Sequence, residues 1–319
     1  MALTKVSNSM LVQPVNHNIL INPSFTVNQY GDVIDHDNST IKCGPDRWKF
    51  RGIDKVGGTM NQTTTFVAPT TGINKLLVKH RNATSHAYAL QNIEAVNIQG
   101  VYGKEITFSF SYSDTGGSGI PKVLIKSYDS SDAEKILYEA MPTSLGNNRW
   151  TCTVTLSTND GTFPDPSERG MQVVIWPNEA NAAPAEWSVW ETKLEVGSVA
   201  TPFIARSYGE ELALCQRYYE QINHETNFSF ISVGVGASSA VVMAHVVYAQ
   251  KRTAPSNTSD GVFVCYDGTN RAVTSQTYNH ITSTRATCLF NSTGISEGRA
   301  YKVQFDSSGA RNIRIDAEL

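Results

Sequence analysis

The sequence predicts an all-β chain: an N-terminal jelly-roll β-sandwich followed by a C-terminal β-sandwich with one short helix at its start. Three observations carry this. Charged residues make up only 17% of the 319 residues, while Thr, Ser, Asn and Gly are plentiful, a mixture that suits sheets joined by polar turns rather than long helices. Short runs alternate apolar and polar residues with the period of two that marks a half-buried strand. Turn-forming clusters separate these runs at roughly 10–15-residue spacing, as in sandwiches and jelly rolls.

The elements follow in order. Residues 62–68 (QTTTFVA) are β-branched, and 75–79 (KLLVK) form a compact apolar strand. In 104–113 (KEITFSFSYS), Ile106, Phe108, Phe110 and Tyr112 fall on one face and Thr107, Ser109 and Ser111 on the other. The turn 114–119 (DTGGSG) returns the chain into 123–128 (VLIKSY). Residues 150–156 alternate again, 172–176 (QVVIW) follow, and 187–196 close the first set. A linker is expected at 197–209, where Pro202 and two glycines discourage regular structure. Ser207 and Glu210 fit a capping box, which predicts a short helix over 210–219 with Glu210 and Glu211 at its positive end. The second set comprises 227–235, a fully buried strand over 240–248, then 262–266, 286–290, 300–305 and 313–315. The domains expected are 1–17, a short lead; 18–199, the jelly roll; and 200–319, the second sandwich.

Composition also excludes. A net charge of −3 without a basic cluster makes a poor nucleic-acid binder, so no nucleic-acid partner is expected. No apolar run approaches the roughly 20 residues of a membrane helix, so membrane insertion is not expected. Residues 1–16 lack the apolar core of a secretory signal, so synthesis in a cytoplasm is expected, and sequons such as Asn82-Ala83-Thr84 reflect composition rather than glycosylation. Cys43, Cys152, Cys215, Cys265 and Cys288 are odd in number and scattered, and read as small buried apolar residues.

No catalytic constellation emerges. His224-Glu225 lacks the second His of a zinc-protease helix, 234–239 (GVGASS) lacks the third glycine of a dinucleotide loop, and no G-x-S-x-G occurs. The chain is therefore expected not to be an enzyme. Asp32, Asp35 and Asp37 share one loop, which is either a solvated turn or a set of hard oxygen ligands suited to Ca²⁺. Sugar faces stack on Trp and Tyr while Asn, Asp, Gln and Arg read hydroxyls. On that basis Tyr30, Trp48, Trp176 and Trp187 are candidate ligand contacts, with Trp150 considered beside them. Each Trp has core packing as its alternative role, and Trp190 shares a strand face with Leu194 and reads as core. In the second domain Tyr266, Arg271, Tyr278 and His280 lie in or beside loops, where binding residues concentrate.

Three stretches carry a resemblance. Residues 3–10 (LTKVSNSM) with Pro14-Val15-Asn16 resemble the lead-in of phage tailspikes and tail fibres, here without the β-helix repeats that commonly follow. Residues 18–25 (NILINPSF), Asp46-Arg47-Trp48 and 187–203 (WSVWETKLEVGSVATPF) resemble a jelly-roll module of phage tail proteins that is similar in layout to carbohydrate-binding modules. Residues 210–220 (EELALCQRYYE), with 251–255 (KRTAP), resemble the C-terminal domain of tail fibres and receptor-binding proteins. The resemblance implies a virion structural protein of the tail, a homotrimer that binds host-surface glycan or lipopolysaccharide and docks on other tail proteins through its N-terminal segment. It also implies that the jelly roll can hold a structural Ca²⁺; no other cofactor is expected from the sequence. A head fibre, decoration protein or adaptor is the alternative, and a glycan depolymerase a more distant one.

Overall fold

A computed structural model describes residues 17–31, 33–36, 42–53, 62–67, 74–80, 86–115, 118–158, 160–178, 185–223, 228–307 and 312–318. The chain divides into two compact units. The first comprises Met1–Thr26, Asp32–Gly44 and Trp48–Arg206, the second Val27–Gly31, Pro45–Arg47 and Ser207–Leu319. Two short pieces of the N-terminal half thus belong to the second unit, which contiguous ranges such as 18–199 and 200–319 do not capture.

In the first unit the strands are β1 (Val33–His36), β2 (Lys42–Cys43), β3 (Lys49–Ile53), β4 (Gln62–Val67), β5 (Lys75–His80), β6 (His86–Glu94), β7 (Glu105–Thr115), β8 (Pro121–Tyr128), β9 (Glu134–Ala140), β10 (Thr143–Gly146), β11 (Arg149–Thr155), β12 (Arg169–Pro177) and β13 (Ala185–Val196). They form a seven-stranded sheet, β1-β4-β5-β13-β7-β11-β10, and a six-stranded sheet, β2-β3-β6-β12-β8-β9. The alternation in β7 is realised: Ile106, Phe108, Phe110 and Tyr112 enter one core with Val123 and Ile125 of β8, Met171, Val173 and Ile175 of β12, and Trp187, Val189 and Leu194 of β13.

The polar face of β7 is not solvated as a simple two-sided strand would be. Thr107, Ser109 and Ser111 are buried under a second layer. Arg149 donates to Ser109 Oγ at 2.8 Å and to the Glu191 carbonyl at 2.6 Å, across a register shift in β13 between Trp190 and Lys193. Thr107 donates to the Gly197 carbonyl at 2.6 Å. Lys193 and Glu195, both buried, pair at 3.1 Å. Glu195 accepts the Thr201 backbone N–H at 2.8 Å, and Lys193 donates to the Pro202 carbonyl at 3.1 Å. The expected linker is therefore, up to Arg206, a strap bonded onto the seven-stranded sheet. The Asn18 side chain ties the start of the unit to the same strand, accepting from Leu194 N and donating to the Thr192 carbonyl.

The C-terminal stretch of the second unit opens with α1 (Tyr208–Gln216), whose Ser207/Glu210 capping box forms as the spacing predicts. The helix is shorter than expected, because Tyr219 already belongs to β14 (Tyr219–Asn223). Then come β15 (Phe230–Ser238), β16 (Val241–Val247), β17 (Ser256–Ser259), β18 (Phe263–Tyr266), β19 (Asn270–Asn279), β20 (Arg285–Ser292), β21 (Ala300–Phe305) and β22 (Asn312–Asp316). The chain is all-β around one α-helix among the described residues; here a three-stranded sheet, β14-β22-β17, accompanies a closed barrel, β15-β16-β20-β19-β18-β21. β16 corrects the expectation of a strand buried on both faces. Val242, Ala244 and Val246 face the core while Met243, His245 and Val247 do not, because a barrel wall has one interior side. The glycines of 234–239 serve close packing: a Cβ on Gly234 would lie 2.6 Å from Val242 Cγ1, and one on Gly236 only 2.1 Å from the Ser296 carbonyl oxygen.

Within the EELALCQRYYE stretch Glu211, Cys215, Tyr218 and Tyr219 are buried. Lys251 pairs with Glu220 at 2.7 Å and donates to the Gln216 carbonyl, and Arg252 Nε donates to the Ala317 carbonyl at 2.7 Å. The Tyr30 and Tyr219 rings stack at 3.7 Å, Arg47 covers the Tyr218 ring, and Arg47 also pairs with Glu318. Cys152, Cys215, Cys265 and Cys288 are buried, and burial pushes their thiols up, to about 12 for Cys152 and Cys288 and about 11 for Cys265. No helix among the described residues is long and apolar enough to cross a membrane.

Candidate functional site

The sequence-predicted contact residues do not gather in one place. Trp48 is 0% exposed, packs on Phe25 at 5.1 Å and donates from Nε1 to the Asn22 carbonyl at 3.0 Å. Trp187 is also 0% exposed and lies in the sandwich core near Tyr112. Both are corrected from ligand contact to packing, since neither presents a face to solvent. Trp176, 7% exposed, sits with Tyr88, Leu90, Leu124 and Val174 in a small cluster separate from the sandwich core. It is too covered to be an open stacking platform. Trp150 packs partly against the core, and Trp190 is buried with Lys75 over its ring. Tyr30 is half-buried against Tyr219, in the second unit rather than the first.

Of the loop acids, Asp32 and Asp37 lie outside the described residues, and Asp35 is placed only by its backbone, opposite Thr63. His224 and the lead at 1–16 also lie outside them. Among the described residues no group of three or more His, Cys, Asp and Glu side chains is arranged to hold a metal ion. A cavity of about 200 Å³ in the first unit is lined by His17, Asn18, Lys193 and Arg206, but Glu195 already engages Lys193.

In the second unit the four candidates split between the ends of β19. Tyr278 packs against the barrel core, where burial pushes its hydroxyl up to about 12, so it is corrected to a packing residue. His280 is exposed in the turn that follows, in a left-handed conformation. Tyr266 and Arg271 lie at the other end, roughly 23 Å away at the usual rise of a strand. There the β18–β19 turn places Tyr266 opposite Asn270, and β21 places Lys302 opposite Tyr266, giving the cross-strand row Lys302, Tyr266, Asn270. Tyr266 is 41% exposed, and Lys302 and Asn270 are exposed beside it.

One carboxylate organises this rim. Asp267 Oδ2 accepts from Arg271 Nη2 at 3.4 Å and forms an ion pair with Arg299 Nε at 3.1 Å, and the Asp267 carbonyl accepts from Arg299 Nη2 at 3.1 Å. Burial alone would raise the Asp267 carboxyl; the bond and charge of Arg271 and the charge of Arg299 outweigh it and hold the group below its ordinary value. Arg271, opposite the buried Cys265, points its guanidinium over Gly294, where a Cβ would come within 2.6 Å of Nη1. Arg299 is 54% exposed along its side chain. The arrangement is an exposed ring beside fixed guanidinium donors and an amide on a rigid barrel. Among the described residues of the rim there is no nucleophile–base pair.

No protein-family model matches the chain, and no curated protein matches it. Among solved structures it is similar to the enzymatically active domain of tailspike protein 4 of bacteriophage CBA120, with TM-score 0.35 and 11% identity over 56% of this chain and 21% of that one. It is also similar to the CBM22-1 xylan-binding domain from Paenibacillus barcinonensis, with TM-score 0.32 and 11% identity over 59% of this chain and all of that one. A Stig cyclase from Fischerella sp. TAU matches at TM-score 0.34 and 13% identity, over 58% of this chain and all of that one. The chain thus spans about a fifth of the tailspike chain.

Asp267, Arg299 and Lys302 were not among the residues singled out from the sequence. Asp267-Gly268 signals a turn, but nothing in the sequence places Arg299 and Lys302 beside that turn. Only the β18–β21 pairing does so.

Proposed function

We propose that this chain is a saccharide-binding receptor protein of a phage tail, which attaches without turnover to glycan or lipopolysaccharide on a bacterial surface. The observation that carries the reading is the exposed Tyr266 ring at the barrel end, in one cross-strand row with Lys302 and Asn270 and next in sequence to Asp267, which holds Arg299. An apolar sugar face packs on such a ring while the donors read its hydroxyls. Holding Arg299 through Asp267 lowers the ordering cost of binding. The resemblance of 210–220 and 187–203 to tail-fibre proteins supports the setting, as does the absence of a catalytic motif in the sequence.

A single ring gives weak affinity, and a homotrimer presenting three such ends raises it by avidity. The outer side of β15 and β16, where Val233, Val235, Met243 and Val247 are exposed, suits such association. The same stripe also suits the reading of a purely structural virion fibre.

The test is adsorption of fluorescently labelled protein to a panel of intact bacterial strains, before and after periodate oxidation of their surface glycans. The proposal expects binding to susceptible strains that periodate abolishes, with no release of reducing ends. Assembly into particles without adsorption to any strain would favour the structural fibre.

A further inference from the structure

We infer that the barrel-end site takes an acidic saccharide, one carrying a carboxylate or phosphate, rather than a neutral one. The inference rests on the saccharide-binding reading above and adds the charge of the ligand.

The rim holds three cations, Arg271, Arg299 and Lys302, against the carboxylate of Asp267; Glu297 lies exposed in the turn just before Arg299. Asp267 is nearly inaccessible and is consumed by its two arginines, so it offers a ligand no free negative surface. The cations remain available. Arg299 has more than half of its side chain in solvent, and its bonds to Asp267 use one face of a five-donor group. Lys302 has no ion-pair partner among the described residues and stands next to Tyr266. The long 3.4 Å contact leaves Arg271 as a positioning residue: it fixes Asp267, which fixes Arg299.

The geometry separates the tasks. The Tyr266 ring contacts a pyranose face, and the Arg299 fork and Lys302 ammonium, both brought from the β21 side, meet an anionic substituent on the same sugar or its neighbour. A guanidinium matches the two oxygens of a carboxylate or phosphate in one plane, which a neutral hydroxyl does not exploit. A neutral glycan would leave Lys302 and the open edge of Arg299 to water.

The experiment measures binding of the full chain by calorimetry to three oligosaccharides of equal length: a neutral glucan, a glucuronate-bearing one and a phosphate-bearing one. The expected result is a preference of about tenfold or more for an acidic probe over the neutral one, weakened by added salt and lost in Arg299→Gln/Lys302→Gln. The probe bound more tightly identifies which anion the rim prefers. Because both residues are exposed, this variant is expected to fold; Arg299→Lys, which keeps the charge but loses the planar fork, serves as a second variant and is expected to weaken the acidic probe selectively. Equal affinity for neutral and acidic probes, or a preference that survives both variants, overturns the inference while leaving saccharide binding in place. No binding of any probe overturns both.

Discussion

Arg47 lies with its guanidinium carbon 3.4 Å from the centroid of the Tyr218 ring and pairs with Glu318, although Tyr218 follows it by more than half the chain. Both residues belong to the second unit, which makes a three-residue piece of the N-terminal half an integral part of the C-terminal fold. Arg47→Met removes one partner of a buried pair and is expected to cost about 3–5 kcal/mol. Denaturant unfolding followed by Tyr and Trp fluorescence checks this; an unchanged midpoint would show that the pair contributes nothing.

Asp46, next to it, accepts the Gln29 backbone N–H at 2.7 Å and is pushed up to about 6, chiefly by burial and further by Glu318, with the Gln29 bonds opposing. Its folded value lies above the ordinary carboxylate value, so the folded state holds the proton more tightly. That contribution is fully present below about pH 4 and is lost as pH rises through about 6. Asp46→Asn is therefore expected to gain stability relative to wild type between pH 4 and 7.5, by on the order of 2–3 kcal/mol. Parallel melts of the two proteins across that range test the sign, and a difference that shrinks with rising pH would reverse it.

The strap after β13 depends on Glu195, which binds Lys193 and the Thr201 backbone. In Glu195→Ala the buried ammonium loses its carboxylate partner and keeps only the Thr201 hydroxyl and the Pro202 carbonyl. Limited proteolysis is expected to cut within 197–206 well before it cuts the wild type. Identical digestion patterns would mean that other contacts hold the strap.

Trp48 and Trp187 are placed in packing, so their variants should separate stability from binding. Trp48→Ala is expected to cost about 3–5 kcal/mol, and the milder Trp48→Phe and Trp187→Phe less. Folded samples of the Phe variants should bind saccharide as wild type does. A selective loss of binding at unchanged stability would return these rings to the ligand site.

What was legible in the sequence was whatever local chemistry encodes. The period of two in β7 set which residues enter the core, and Ser207 with Glu210 set the start of α1. The Trp roles were open because burial depends on which strands meet: nothing local distinguishes the buried Trp187 from an exposed ring. β16 reads as largely apolar because Val247 and Met243 are apolar although exposed, His245 being the one polar residue, and only barrel closure gives them an outside. The candidate site was half legible. Tyr266 and Arg271 lie near one turn, whereas Arg299 and Lys302 reach them across the β18–β21 pairing.

The most direct test of the account is adsorption of Tyr266→Ala to a strain that the wild-type chain binds, with Trp176→Phe as the control in the other unit. The account predicts that Tyr266→Ala loses about tenfold or more in affinity while remaining folded, and that Trp176→Phe binds as wild type. Full adsorption by Tyr266→Ala, or loss confined to Trp176→Phe, would contradict the placement of the receptor site at the barrel end.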